Sequence, residues 1–191
     1  MNSRQNVLEA FNHQSGGQGV MWTGIPYDET VSIFAREWGI EPTREMIYQY
    51  LRDDCRAVGA DGGYHHPLGD GIWNPSWGID RSHDLSAAGC FSEADKPSDL
   101  DGYPWPDPAY LDFTEVYRTI DQFFDKMVFT GMWCHFFHVV ADFFGMENYF
   151  VKMYESPMVV EALTERIVDF YVAANDMFFS GLGDRADVLF F

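Results

Sequence analysis

Basic residues are scarce in this chain: 12 Lys and Arg stand against 30 Asp and Glu, a net charge of −18 over 191 residues. A surplus of that sign repels phosphate backbones and anionic headgroups, which argues against nucleic acid and membrane surfaces as partners. Substrates carrying many carboxylates are disfavoured on the same ground unless arginines cluster locally. Cysteine is sparse too. Cys55, Cys90 and Cys134 are odd in number and form no C-x-x-C pair, so a disulfide framework is not expected and a reducing cytoplasm fits. No apolar stretch approaches the roughly 18 residues of a membrane helix, and Met1-Asn2-Ser3-Arg4-Gln5 lacks the apolar region of a secretory signal. A Gly-rich phosphate loop, a G-x-S-x-G elbow, a basic patch and an internal repeat are all missing. The expectation is a cytoplasmic protein of one domain, or part of a larger one.

What is present is apolar and aromatic: hydrophobic residues make up 47% of the chain and aromatic residues 17%, enough for a packed core. The stretch 128–191 organises the rest. Val128-Phe129-Thr130-Gly131-Met132-Trp133 and Asp187-Val188-Leu189-Phe190-Phe191 are short, β-branched and aromatic, as buried parallel strands are. Between them, a segment of helical period from about Glu147 to Gly181 carries Leu163, Ile167, Phe170, Tyr171, Ala174, Met177 and Phe178. Strand, helix and strand of these lengths predict a βαβ unit with a right-handed crossover.

The earlier chain predicts more of the same architecture. Ser3 is read as the cap of a first helix bearing Val7, Leu8 and Phe11, and Val20–Gly24 as a first strand. Asp28 is read as the cap of a second helix, and a third starts near Thr43. Arg56–Gly59 reads as a further strand. Residues 68–108, dense in Gly, Pro, Asp and Trp, predict a long excursion with a short hairpin near Gly71–Ile79. A helix from Thr114 then leads into the Val128 strand. Pro157 suits the first turn of the long helix, and Gly181 and Gly183 suit its end. Because a core strand at the C-terminus would leave an exposed sheet edge, the chain is expected to be truncated there.

In parallel α/β folds, function gathers at the C-terminal ends of the strands. Three such places follow: Thr23, Pro26 and Tyr27; Asp61, Tyr64, His65 and His66; and Trp133, Cys134, His135 and His138. A histidine just past a strand is placed for acid–base work near neutral pH. Adjacent histidines in a Gly-rich loop also fit a solvent-facing role, and Asp61 either orients one of them or stabilises the Gly62-Gly63 turn. Cys134, His135 and His138 have the residue types of a zinc site, but on a strand Cys134 and His135 point to opposite faces. Pocket lining or hydrogen bonding in the core is the alternative for these histidines. Trp22, Tyr27, Trp73, Trp77 and Trp133 suit a cavity for a flat or apolar ligand, with core packing as the alternative for Trp22 and Trp133. Asp53-Asp54 and Asp99–Asp101 read as solvated faces.

Several segments together resemble the uroporphyrinogen decarboxylase superfamily. Asn2–His13 is similar to its opening helix, and Asp101-Gly102-Tyr103-Pro104-Trp105-Pro106-Asp107 to a segment of its divergent bacterial members. Phe143–Phe150, Glu155-Ser156-Pro157 and Ala186–Phe191 continue the match. The resemblance spans nearly the whole chain but only the first half of the family's length. It implies a (β/α)8 TIM barrel with its site at the strand C-termini, and one of two chemistries. Decarboxylases of the family place an arginine-bearing motif, similar to M-R-Q-A-G-R-Y, after the first strand to meet a polycarboxylate tetrapyrrole. The matching stretch, Met21-Trp22-Thr23-Gly24-Ile25-Pro26-Tyr27, has no arginine.

The other branch consists of corrinoid (cobalamin)-dependent methyltransferases, whose zinc is held by an H-x-C motif and a later cysteine in the second half. The resemblance therefore implies a methyltransferase moving a methyl group between a small substrate and a corrinoid protein, with zinc ligands not assignable here. Tyr64, His65 and His135 are the expected catalytic residues, for substrate positioning or proton transfer. Trp22, Thr23, Tyr27, His66, Trp133 and His138 are the expected substrate contacts. A decarboxylase and a non-catalytic barrel-fold binding protein are the alternatives, and an exposed half-barrel is expected to pair as a homo-oligomer.

Overall fold

A computed structural model describes residues 2–14, 19–60, 63–66 and 88–190. In chain order these form α1 (Ser3–Phe11), α2 (Asp28–Trp38), α3 (Arg44–Leu51), β1 (Cys55–Gly59), β2 (Gly63–Tyr64), β3 (Leu111–Asp112) and α4 (Thr114–Asp121). There follow β4 (Met127–Gly131), α5 (Phe136–Phe144), α6 (Met146–Glu155), α7 (Pro157–Leu182) and β5 (Val188–Leu189), with short 3-10 turns at Pro97–Leu100 and Pro108–Tyr110. The fold is mixed α/β, with seven α-helices among the described residues. Its parallel sheet runs β1-β4-β5, and within the described residues it does not close into a barrel. No described helix is long and apolar enough to cross a membrane.

The chain divides into two compact units. The first comprises residues 1–60, 114–131 and 182–190 and contains the parallel sheet. β1 pairs with β4 from Cys55–Met127 to Gly59–Gly131, and β4 pairs with β5 through Phe129–Val188 and Thr130–Leu189. Val7, Cys55 and Met127 form a buried cluster, flanked by Leu8, Val20, Phe129 and Val188. The apolar face of α1 thereby covers the start of the strands. Thr130, fully buried in β4, donates its hydroxyl to the Val58 carbonyl at 2.6 Å, so its polar atom is satisfied across the ladder.

Local caps differ in detail from expectation. Asn2, not Ser3, caps α1 by accepting the Gln5 N–H at 2.9 Å. Asp28 lies inside the first turn of α2, where its charge favours the helix N-terminus. There it pairs with Arg44 at 2.6 Å. Thr43 caps α3 as expected, accepting from the Met46 N–H at 3.2 Å.

The expected strand at Val20–Gly24 does not form. The segment is extended, but side-chain carboxylates take the N–H groups that a strand partner would use. Met21 donates to Asp54 Oδ2 at 3.1 Å and Thr23 to Asp53 Oδ2 at 2.6 Å. A single backbone bond, Asp54 N–H to the Met21 carbonyl at 3.0 Å, remains of a ladder. Asp53, read from the sequence as solvated, is fully buried for this reason; its other oxygen accepts the Cys55 N–H at 2.8 Å.

The second unit comprises residues 61–113 and 132–181, of which 61–62 and 67–87 lie outside the described residues. The hairpin expected near Gly71–Ile79 falls in that gap, as do Asp61, Trp73 and Trp77. The one sheet described here is antiparallel, β2 against β3, with Tyr64 opposite Leu111. Phe91, Tyr103, Trp105 and Phe143 pack ring against ring at centroid distances of 4.7–5.9 Å. The Phe91 N–H donates to the Phe143 carbonyl at 2.8 Å. Gly89 lies so close to that carbonyl that a Cβ there would overlap it. The expected long helix is two helices. Pro157 has no N–H to continue α6, and it opens α7 in the first-turn position where the missing donor costs nothing.

Candidate functional site

The sequence candidates lie in both units. In the first unit, Trp22 is 54% exposed and stacks flat on Phe129, with centroids 4.5 Å apart. Tyr27 is 84% exposed at the N-cap of α2, with no side-chain cap bond. Thr23 is held by its backbone to Asp53, and its buried hydroxyl oxygen has no hydrogen-bond partner. Arg44 is the cation beside this loop: its Nε donates to the Pro26 carbonyl at 3.0 Å, while its Nη2 is neutralised by Asp28.

In the second unit, the β2–β3 pairing positions the histidine pair. Tyr64 is buried and its hydroxyl accepts the Asp107 N–H at 3.0 Å. Burial pushes that hydroxyl up in pKa, against the opposing pull of the Asp107 N–H. Tyr64 is thereby a neutral, packed anchor and a poor proton donor. The His65 N–H donates to the Tyr110 carbonyl at 2.9 Å. The His66 ring lies 5.0 Å from Tyr110 and 6.2 Å from Tyr64 between centroids. Tyr64, His65 and His66 thus form one group around Tyr110.

The third group follows β4. The strand ends at Gly131 rather than Trp133, so Trp133 and Cys134 lie in a loop and His135 is the N-cap residue of α5. Trp133 is 68% exposed. His135 Nδ1 is 2.9 Å from the Trp133 carbonyl. Since a carbonyl can only accept, Nδ1 carries the proton, and in the neutral ring Nε2 is the basic nitrogen. The His135 ring is 5.9 Å from Trp133, 6.4 Å from His138 and 6.4 Å from Tyr171.

Cys134 does not serve as a metal ligand in this arrangement. Its thiol donates to the Met132 carbonyl at 3.3 Å and accepts from Asn175 Nδ2 at 3.2 Å. Burial pushes its pKa up despite the Asn175 donor. The described residues contain no group of three potential metal-binding side chains. Zinc therefore does not fit the donor set at Cys134, His135 and His138.

Sequence reasoning missed two members of this corner. In the sequence Tyr171 is one member of an apolar stripe, and nothing around Asn175 sets it apart. Both lie on α7 one turn apart, and Asn175 Nδ2 also donates to the Tyr171 carbonyl at 2.8 Å. The four-residue spacing was visible, but nothing in the sequence says that the loop after β4 meets it.

The structure defines an α/β protein whose histidines lie in the segments after β1 and β4, two strands that pair in parallel. No family model, curated protein or solved structure matches the chain.

Proposed function

We propose that this chain is the strand-sequential first half of a (β/α)8 barrel of the uroporphyrinogen decarboxylase type, acting as a corrinoid-dependent methyltransferase on a small substrate. One observation supports this reading above the rest. β1, β4 and β5 are adjacent, parallel and in sequence order, as successive barrel strands are, and the candidate histidines lie in the segments after β1, beyond the short β2, and after β4. The charge pattern favours methyl transfer over decarboxylation. Arg4, Arg44, Arg56, Arg118, Arg166 and Arg185 each face a carboxylate partner. Cations already neutralised in this way are poor receptors for a polycarboxylate. Exposed Trp133, beside His135, offers apolar contact instead.

A corrinoid carried by a partner protein would supply or accept the methyl group. The chain's own residues would orient the small substrate and hold its proton. His135 Nε2 suits the proton-holding role, because the Trp133 carbonyl fixes the tautomer through Nδ1. His65, anchored by its backbone to Tyr110, is the second candidate.

The test is to incubate the purified full-length protein, this chain together with the second half that the reading calls for, with methylcobalamin and a small thiol, and to quantify methyl thioether by mass spectrometry. Expected is thioether formation above the protein-free rate, falling at least about tenfold in His135→Gln. Carbon dioxide release from uroporphyrinogen without thioether formation would assign the decarboxylase reading instead. Neither product would leave the non-catalytic binding protein.

A further inference from the structure

Two buried side-chain polar atoms have no hydrogen-bond partner among the described residues: Thr23 Oγ1 and Asn175 Oδ1. Such atoms are uncommon in folded proteins, because each forfeits its hydration without replacement. Thr23 sits in a stretch already read as substrate-contacting. Asn175 does not, and its surroundings say more.

The orientation of the Asn175 amide is fixed by its neighbours. One Nδ2 hydrogen goes to the Tyr171 carbonyl at 2.8 Å and the other to Cys134 Sγ at 3.2 Å. Flipping the amide would set Oδ1 against the Tyr171 carbonyl, oxygen to oxygen, so the assignment holds. Both donors are spent, and the acceptor is left over. The same side chain touches the Cys134 thiol, and the ring of Tyr171, one turn away on α7, lies 6.4 Å from that of His135, which is itself 6.4 Å from His138. Cys134 cannot relieve the orphan oxygen, because its own proton is donated to the Met132 carbonyl at 3.3 Å. The corner therefore presents one unmet need, for a donor.

We infer that Asn175 is a specificity-determining residue whose Oδ1 accepts a hydrogen bond from an N–H or O–H group on the small substrate held beside Cys134 and His135. This rests on the reading of that corner as substrate-facing, and it adds the chemical class of the ligand: a neutral molecule bearing a hydrogen-bond donor. A site built around a leftover acceptor discriminates strongly, since an analogue lacking the donor leaves the oxygen unpaired once more. Nothing in it depends on methyl transfer.

Acetamide and acetone are the probes. They are nearly equal in size, and acetamide has N–H groups where acetone has a methyl. Binding is read on the full chain from the imidazole NMR signals of His135 and His138, with Asn175→Leu as the variant. Wild type should bind acetamide at least about tenfold more tightly than acetone. In Asn175→Leu, which keeps the side-chain volume and removes the orphan acceptor, that preference should vanish while the thermal midpoint holds. Equal binding of the two probes by wild type overturns the inference, whatever the variant does. So does a preference that survives in a folded Asn175→Leu. Failure of the methylcobalamin assay with the acetamide preference intact would count against methyl transfer and not against the role of Asn175.

Discussion

Replacing Glu45 with alanine should destabilise this protein by about 2–3 kcal/mol at neutral pH, and the structure shows where that figure comes from. Arg56 lies on β1 with its side chain 4% exposed. Its Nε and Nη2 each donate to a Glu45 oxygen at 2.9 Å, and its Nη1 donates to the Asp53 and Cys55 carbonyls at 3.3 and 2.7 Å. The guanidinium also lies 4.8 Å above the Tyr48 ring and 5.6 Å from that of Phe123. Deleting Glu45 leaves a buried cation with two neutral acceptors and aromatic faces. A fully buried pair broken this way costs about 3–5 kcal/mol. The Glu45 side chain is 44% exposed, however, so water can reach the vacated position and part of that cost is recovered.

Equilibrium urea unfolding of wild type and Glu45→Ala measures the difference. For a chain of this size the thermal midpoint should fall by roughly 4–10 °C. The pH dependence gives a second readout. Burial pushes the Glu45 carboxyl up, but Arg56, Gln49 and Lys126 together bring it below its ordinary 4.5. A carboxyl lowered in the folded state contributes fully above its unfolded value, and the contribution disappears as pH falls through the folded one. The gap between wild type and variant should therefore be constant from neutrality down to about pH 5 and narrow at lower pH. A loss under about 1 kcal/mol at pH 7 would place the pair with ordinary surface ion pairs and refute the argument.

Three further outcomes follow from the same structure. Asp53→Ala strips acceptors from the Thr23 and Cys55 N–H groups, so it should cost about 2–4 kcal/mol, with faster hydrogen exchange at Thr23; unchanged exchange there would show that the carboxylate does not tether the loop. Gly131→Ala would set a Cβ onto the Phe190 carbonyl at a positive φ of 153°; a loss above about 2 kcal/mol in chemical unfolding is expected, and a neutral substitution would mean that β4 and the chain after β5 separate readily. Burial raises the Cys55 thiol to about 12, so peptide mapping after iodoacetamide at pH 8 should find Cys55 unmodified until denaturant unfolds the first unit, while labelling in native buffer would contradict its burial.

The amino-acid sequence by itself placed strands at Arg56–Gly59, Val128–Trp133 and Asp187–Phe191, where β1, β4 and the shorter β5 form, because β-branched and aromatic runs bounded by Gly and Asp have few other low-energy outcomes. It also specified α1 to α4 and the long α7 through apolar spacing, with Pro157 near its start, but neither α5 nor the break between α6 and α7. These are local properties, carried by residues a few positions apart. What depended on distant partners was decided only in three dimensions. Val20–Gly24 has a strand's composition, yet its N–H groups meet carboxylates some 30 positions further on. Asp53 looks like any surface acid until those N–H groups close over it. The pairing of β2 with β3 joins residues 63–64 to 111–112, and no periodicity encodes such a register.

The candidate site divides along the same line. Residues following strand ends were legible as types in places: Trp133, His135 and His138 after β4, and His65 and His66 after β1. Their chemistry was not. The tautomer of His135 depends on the Trp133 carbonyl, and the raised pKa of the Cys134 thiol depends on burial, against the pull of the Asn175 donor. Asn175 lies 41 residues from Cys134 in the chain, and only packing brings its amide to the thiol. Local sequence determines which segments become strand and helix because the relevant energies act along the backbone; proton positions and unpaired acceptors depend on what tertiary contact places within hydrogen-bonding distance.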